Sequence, residues 1–260
     1  MTKPSWQDFG AHDESAYPEL WDGVVGAWAP CLGPTGSRLH DMSRRANWGT
    51  LTNMDNATDW VVDGGQYALD FDGSNDYAVT TGNIEISGAQ PRTMAGWINL
   101  KSLANAALFG YGEAVLNRWF YLSVIGGFWY VSGFNNDFDT LAPAATGLRH
   151  VAVAYDGATV AVVVDGVKIG TDAKTYSTTA LPLNIARRAF AGSELNAAMA
   201  IFDLAIWRRS LSIDEIRQIY QLGRGGMYQR RRRSRIYLPQ AGFQAAWARG
   251  SNVLLGFQQP

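Results

Sequence analysis

From Trp21 to about Tyr220 the apolar residues come in short runs, each cut off by Gly, Asn, Asp or Pro. Inside the runs they alternate with small or polar residues, the period of two expected of strands. This pattern predicts strands within 24–30, 66–73, 76–81, 92–101, 118–127 and 128–134. The Gly126-Gly127 pair between the last two suits a hairpin turn. Residues 148–171 carry the clearest pattern. Val151, Val153 and Tyr155 alternate with Ala152 and Ala154, Asp156-Gly157 turns the chain, Val160, Val162 and Val164 resume, and Asp165-Gly166 turns it again. An antiparallel meander follows, and Ala between the valines predicts that both of its faces are covered.

The period changes once. Over 211–223, Ile213, Ile216, Ile219 and Tyr220 fall on one helical face, Ser212 and Glu215 form a capping box, and Gly223 sits at the C-cap position. This predicts a short surface helix closing an edge of the sandwich. Residues 1–20 read as a polar arm, 21–223 as the sandwich, and 224–260 as a tail, basic first and apolar after. The fold class is all-β: a two-sheet antiparallel jelly-roll sandwich with one short C-terminal helix and extended terminal arms. No repeat of solenoid or propeller length is present.

Composition agrees. Apolar residues make up 47% and charged residues 17% of 260, with 28 Gly, enough to bury a large core between tight turns. Charge divides the chain. All 23 acidic residues precede Arg230, while six of the 22 basic ones lie from there onward. An acidic body argues against a direct nucleic-acid partner. A lone Cys31 excludes an intrachain disulfide. The opening has no apolar stretch of secretory type and no run is long enough to span a membrane, so no membrane partner is expected.

Four stretches, 67–80, 92–101, 149–171 and 202–223, resemble in order the LamG-like jelly roll of the concanavalin A-like lectin/glucanase superfamily. The resemblance implies two face-to-face sheets with one concave surface, and an inward Trp97 on strand 92–101. It does not imply one function, since the scaffold hosts lectins, glycosidases, adhesion modules and virion proteins.

The chemistry legible in the residues is sparse. Glycosidases use two carboxylates flanking one bond, and the paired acidic strand of the glucanases is missing here. Acidic residues fall in turns (Asp72, Asp76, Asp156, Asp165) or on the helix (Asp214, Glu215), and His12, His40 and His150 lack metal spacing. No catalytic residue is assigned and no enzyme is expected. Asn135, Asp137 and Asp139 could offer oxygen ligands to calcium, although a solvated polar turn explains them better; no metal site is assigned. The aromatics of 111–138 suit stacking on sugars. Trp28, Trp97 and Trp207 read as core, which leaves Trp119, Trp129, Phe134 and Asn135 as glycan-binding candidates, with Trp129 and Phe134 at an open rim.

In the tail, Arg230, Arg231, Arg232, Arg233 and Arg235 precede Tyr237, Leu238, Phe243 and Trp247. A basic strip followed by an oily one is costly to leave in water and suits docking on an acidic protein surface. The expected function is a non-catalytic structural or adhesion protein of a bacteriophage virion, as capsid decoration or as a fibre or tail accessory. Its partners would be other virion proteins or copies of itself, with cell-surface glycans as a further ligand. It would be made in the host cytoplasm and act at the virion surface. A free bacterial carbohydrate-binding module is the alternative, and a glucanase-like hydrolase a third.

Overall fold

The computed structural model describes residues 15–190 and 194–229. Two eight-stranded sheets, antiparallel at every pairing, form a sandwich. The first runs β14 (Val167–Ala173), β13 (Thr159–Val164), β12 (Gly147–Tyr155), β7 (Arg92–Leu100), β18 (Ala198–Trp207), β5 (Gln66–Asp72) and β4 (Trp60–Asp63). Here β1 (Val24–Trp28) pairs with the later half of β18. The second sheet runs β11 (Phe138–Pro143), β10 (Phe128–Ser132), β9 (Trp119–Ile125), β8 (Ala106–Gly112), β15 (Pro182–Ile185), β6 (Tyr77–Asn83), β3 (Gly49–Thr52) and β2 (Arg38–Leu39). A small hairpin of β16 (Arg187–Arg188) and β17 (Leu195–Asn196) stands apart from both.

Alternation sends half of each strand into the space between the sheets. Met94, Ile98, Val151, Val153 and Val162 of the first sheet meet Phe120, Leu122, Val124 and Val131 of the second. The meander is confirmed. Val151↔Val164 and Tyr155↔Val160 set the β12–β13 register, and Asp165-Gly166, both at positive φ, turns into β14.

The other face of the first sheet is buried as well. Ala95, Ala152, Ala154, Ala200 and Ala205 lie there beneath a second apolar layer of Leu20, Trp21, Ile216, Ile219, Met227 and Tyr228. Small side chains let this layer approach the sheet closely. Trp97 belongs to this face and not to the space between the sheets. Met94, Ile98 and Leu100 hold the inward phase of β7, so Trp97 points away from the second sheet. Its ring stacks on Tyr220 at 5.5 Å.

Tyr220 comes from helix α2 (Ile213–Leu222), whose capping box and terminal Gly223 are as the spacing predicts. The helix covers a sheet face, whereas an edge position was expected, because Ile216 and Ile219 seek the alanine floor. The folded body also extends beyond 21–223. Leu20, within the short helix α1 (Pro18–Trp21), is fully buried, as is Tyr228. Trp207 Nε1 donates to the Leu20 carbonyl at 2.6 Å, Trp21 Nε1 to the Met227 carbonyl at 3.0 Å, and Ala16 N to the Gln229 carbonyl at 2.7 Å. Residues 15–20 and 224–229 are therefore parts of the sandwich's cover. Among the described residues no helix is long and apolar enough to cross a membrane.

A buried carboxylate fastens the cover. Asp203, at a bulge in β18, accepts Trp97 N at 3.0 Å and Gly225 N at 2.6 Å. Burial, only partly offset by these bonds, pushes its carboxyl up to about 6. His150, three residues into β12, is fully buried beside Trp97 and Tyr220, and neither ring nitrogen has a hydrogen-bond partner.

Burial holds His150 down to about 3, from an ordinary value of 6.5. The unfolded chain binds this proton first, so the stability that His150 contributes is complete above about pH 6.5 and is lost as the pH falls toward 3. Asp203 has the opposite sign, losing its contribution as the pH rises through about 6. A His150→Phe comparison cancels the Asp203 effect. Denaturant unfolding at about pH 7 and about pH 5 should show wild type losing on the order of 1 kcal/mol per pH unit more than the variant. Equal losses would mean that His150 is not buried neutral.

Candidate functional site

The outer face of the second sheet carries the side chains that the core rejects. Along β9, Phe120, Leu122 and Val124 point inward, and Trp119, Tyr121, Ser123 and Ile125 point outward. The Gly126-Gly127 turn, with φ of +60° and +83°, fixes the phase of β10. Trp129 then pairs with Val124 and Val131 with Leu122, both inward, and Tyr130 and Ser132 face out. Trp129, expected at an open rim, is accordingly a core residue with 2% exposure. One residue of register decides this, because the side-chain period is two.

Trp119 stays on the outer face but is covered. The Arg188 guanidinium lies 4.7 Å over its ring. Phe134 meets it edge-on at 4.9 Å and Phe190 at 5.8 Å, and those two rings touch each other at 5.5 Å. Phe134 and Asn135 follow β10 with φ of +55° and +60°, two successive left-handed residues that turn the chain sharply. Phe134 is left half-buried against Trp119, and Asn135 is exposed. Phe190, missed in the sequence, is 39% exposed.

These groups enclose a cleft of about 310 Å³. Trp119, Phe134, Phe190 and Ile125 form its apolar walls, and Tyr130, Ser132, Asn135, Asp137 and Arg188 supply the polar ones. Arg188 Nη1 donates to Ser132 Oγ at 2.9 Å, and Ser132 Oγ lies 3.3 Å from Ser123 Oγ. Asp137 accepts Gly133 N at 2.7 Å. Burial, then the neighbouring Asp137 charge and its hydrogen bond, push the Tyr130 hydroxyl up to about 12, so the phenol remains a neutral donor. Asp139 accepts Leu141 N at 2.8 Å. Asp137 and Asp139 thus flank the inward Phe138 and bind separate backbone amides. Among the described residues no three His, Cys, Asp or Glu side chains gather as a metal site would require.

Beside the cleft, Tyr121 lies flat across Gly110. A Cβ at that glycine would stand 2.4 Å from the tyrosine ring and 2.4 Å from the Phe120 carbonyl. Asn184 Nδ2 donates to the Tyr121 hydroxyl at 3.2 Å.

A second cavity, of about 350 Å³, opens between residues 45–47 and the end of β6. It is slightly larger, but it has no aromatic wall, and its charges satisfy each other: Glu85 Oε2 accepts Arg45 at 2.7 Å and Arg208 at 2.8 Å. Of the residues expected from the sequence, the cleft therefore unites Trp119, Phe134, Asn135 and Asp137. It adds Tyr130, one of the aromatics of 111–138, and Ile125, Ser132, Arg188 and Phe190, which have no sequence signature. The docking candidates Arg230 to Arg235, Tyr237, Leu238, Phe243 and Trp247 lie outside the described residues.

Residues 52–217, over half of the chain and including every residue of the cleft, match the concanavalin A-like lectin/glucanases superfamily. The chain belongs to this superfamily. Its members share the two-sheet architecture described above, and solved structures agree with that. Domain 4 of AbnA, an extracellular arabinanase from Geobacillus stearothermophilus solved with arabinotriose, is similar at TM-score 0.61 and 16% identity, over 80% of this chain and 100% of that one. Trypanosoma rangeli sialidase, solved with sialic acid, is similar at 0.58 and 17%, over 77% of this chain and 33% of the enzyme. A botulinum neurotoxin type C structure, described by its dependence on two ganglioside molecules for cell entry, is similar at 0.56 and 12%, over 79% and 52%. At such identities the likeness concerns the fold. No curated protein matches the chain.

Gly110→Ala tests how the outer face is assembled. The added methyl must displace Tyr121 or part β8 from β9, at a cost of about 1–3 kcal/mol. Thermal unfolding should show this loss, and the Tyr121 ring signals should shift. An unchanged midpoint would mean that the ring does not lie over β8.

Proposed function

We propose that this protein is a non-catalytic adhesion module that binds glycans in the cleft of its second sheet. The observation that carries the reading is the pairing of exposed aromatic edges, Phe134 and Phe190, with an amide, a phenol, a hydroxyl and a guanidinium around one cleft. Sugars present apolar C–H faces to rings and hydroxyls to such polar groups. Neighbouring folds solved with arabinotriose or sialic acid, or tied to gangliosides, support it. Among the described residues one carboxylate, Asp137, lines the cleft, whereas glycoside hydrolysis ordinarily takes two.

The proposed setting is the virion surface, with the protein as capsid decoration or as a fibre or tail accessory. Gln229, the last described residue, pairs with Ala16 on the outer side of the first sheet, the side away from the cleft. A body that displays the cleft and is fastened through the basic and apolar residues of 230–260 would divide binding from anchoring. The partners would be other virion proteins or copies of the chain.

Two measurements test this. On a glycan array, Phe134→Ala and Phe190→Ala should each weaken binding of any hit by about tenfold, roughly 1.4 kcal/mol, with the unfolding midpoint nearly unchanged. A blank array would end the glycan reading. Deleting residues 231–260 should leave the sandwich folded and abolish incorporation into particles. Undiminished incorporation would contradict the anchor, and absence of the intact chain from particles would favour a free carbohydrate-binding module.

A further inference from the structure

Arg188 stands out among the arginines of the body. Its Nε is buried and has no hydrogen-bond partner, and its one hydrogen bond runs from Nη1 to Ser132 Oγ. No carboxylate stands within ion-pair distance of it among the described residues. Arg45, Arg118, Arg149, Arg187, Arg208, Arg209 and Arg217 each have one, Arg224 donates instead to the Asp63 and Gly64 carbonyls, and Arg38 is exposed to water. Arg92, fully buried and also without a counter-charge, differs because three neutral oxygens satisfy it: the Gln90 and Gly88 carbonyls and the Tyr111 hydroxyl.

A guanidinium drawn partly out of water without a counter-ion is destabilising unless something compensates it. The Trp119 ring offers part of that compensation. Asp137 is the carboxylate that acts on it, and Gly133 N and the Tyr130 hydroxyl already occupy that group. The guanidinium therefore keeps an unmet demand for an anion, and it lines the cleft.

We infer that the cleft selects acidic glycans, and that Arg188 is the specificity-determining residue that receives the ligand's anionic group. This rests on the glycan reading of the same cleft and adds the class of sugar. The guanidinium fork matches a carboxylate, as in uronic and nonulosonic acids, or a sulfate ester, by paired charge-assisted hydrogen bonds. Phe134 and Phe190 meet the apolar face of the sugar, and Tyr130 and Asn135 lie close enough to serve its hydroxyls. Binding involves no covalent step.

The test uses the full chain, a broad array of neutral and acidic glycans, and calorimetry with 3′-sialyllactose, trigalacturonate, 3′-sulfolactose and lactose. At least one acidic probe should bind about tenfold or more tightly than lactose. Arg188→Gln should remove that preference, and Arg188→Lys should retain part of it, since the charge remains while the fork is lost. Near-UV circular dichroism checks that both variants keep the wild-type packing, and the lysine variant carries the test if the glutamine one does not fold. The sialyl, galacturonate and sulfo arms tell which anion is preferred. Acidic ligands that bind Arg188→Gln as well as wild type would overturn the inference. So would an array with only neutral hits weakened by Phe134→Ala, a result that leaves the glycan reading standing. A blank array would overturn both.

Discussion

The middle strands of the first sheet, β12, β7 and β18, are buried on both faces, and the rest of the molecule follows from that. One side closes the core against the second sheet; the other lies beneath α2, α1 and residues 224–229. Two-sided burial explains the alanines of β12 and β18, which leave room for a second layer. It also explains why polar groups on the covered side act as fasteners. Trp207 and Trp21 spend their indole N–H groups on carbonyls of the cover, and Asp203 holds Gly225. An unpaired polar group there is costly, so the cover and the sheet specify each other. The His150 ring nitrogens and the Trp97 indole N–H are exceptions, with no hydrogen-bond partner in the protein.

The cleft lies on the outer side of the second sheet. That side is shaped by where side chains cannot go. A glycine at 110 lets Tyr121 lie down, the glycine turn at 126–127 sends Trp129 inward and Tyr130 outward, and left-handed residues 134–135 bend the chain beside Trp119. The β16–β17 hairpin completes the arrangement, with Arg187 placed over Tyr77 and Arg188 over Trp119. The cleft is thus built from β9, β10, the turn that follows β10 and the β16–β17 hairpin.

Much of this was legible in the residues, unevenly. The meander of 148–171 and the helix of 211–223 announce themselves because local signals agree with the fold: valine alternation with Asp-Gly turns, and a capping box ahead of an apolar face. Strand β8 does not, since it is buried on both sides and shows a continuous apolar run without a period. β15 is only four residues long. Trp119 and Phe134 lie at the cleft, whereas Trp129, expected at an open rim, is core, and Trp97, expected inward, faces α2. Composition marks a tryptophan as large and apolar, but the register of its strand decides which side receives it. Arg188 and Phe190 were invisible, because they reach the cleft through a hairpin whose pairing depends on contacts distant in sequence. Likewise, burial of Leu20 and Tyr228 depends on each end of the body meeting the other.

The central claim is that ligand binding belongs to the outer face of the second sheet while the first sheet stays sealed. Amide hydrogen exchange of the intact chain, with and without a saturating oligosaccharide identified on an array, tests it most directly. The account predicts new protection in β9, β10, residues 133–137 and the β16–β17 hairpin, and none in α2 or residues 224–229. Protection that appears instead along α2 and residues 224–229, with β9 and β10 unchanged, would contradict it.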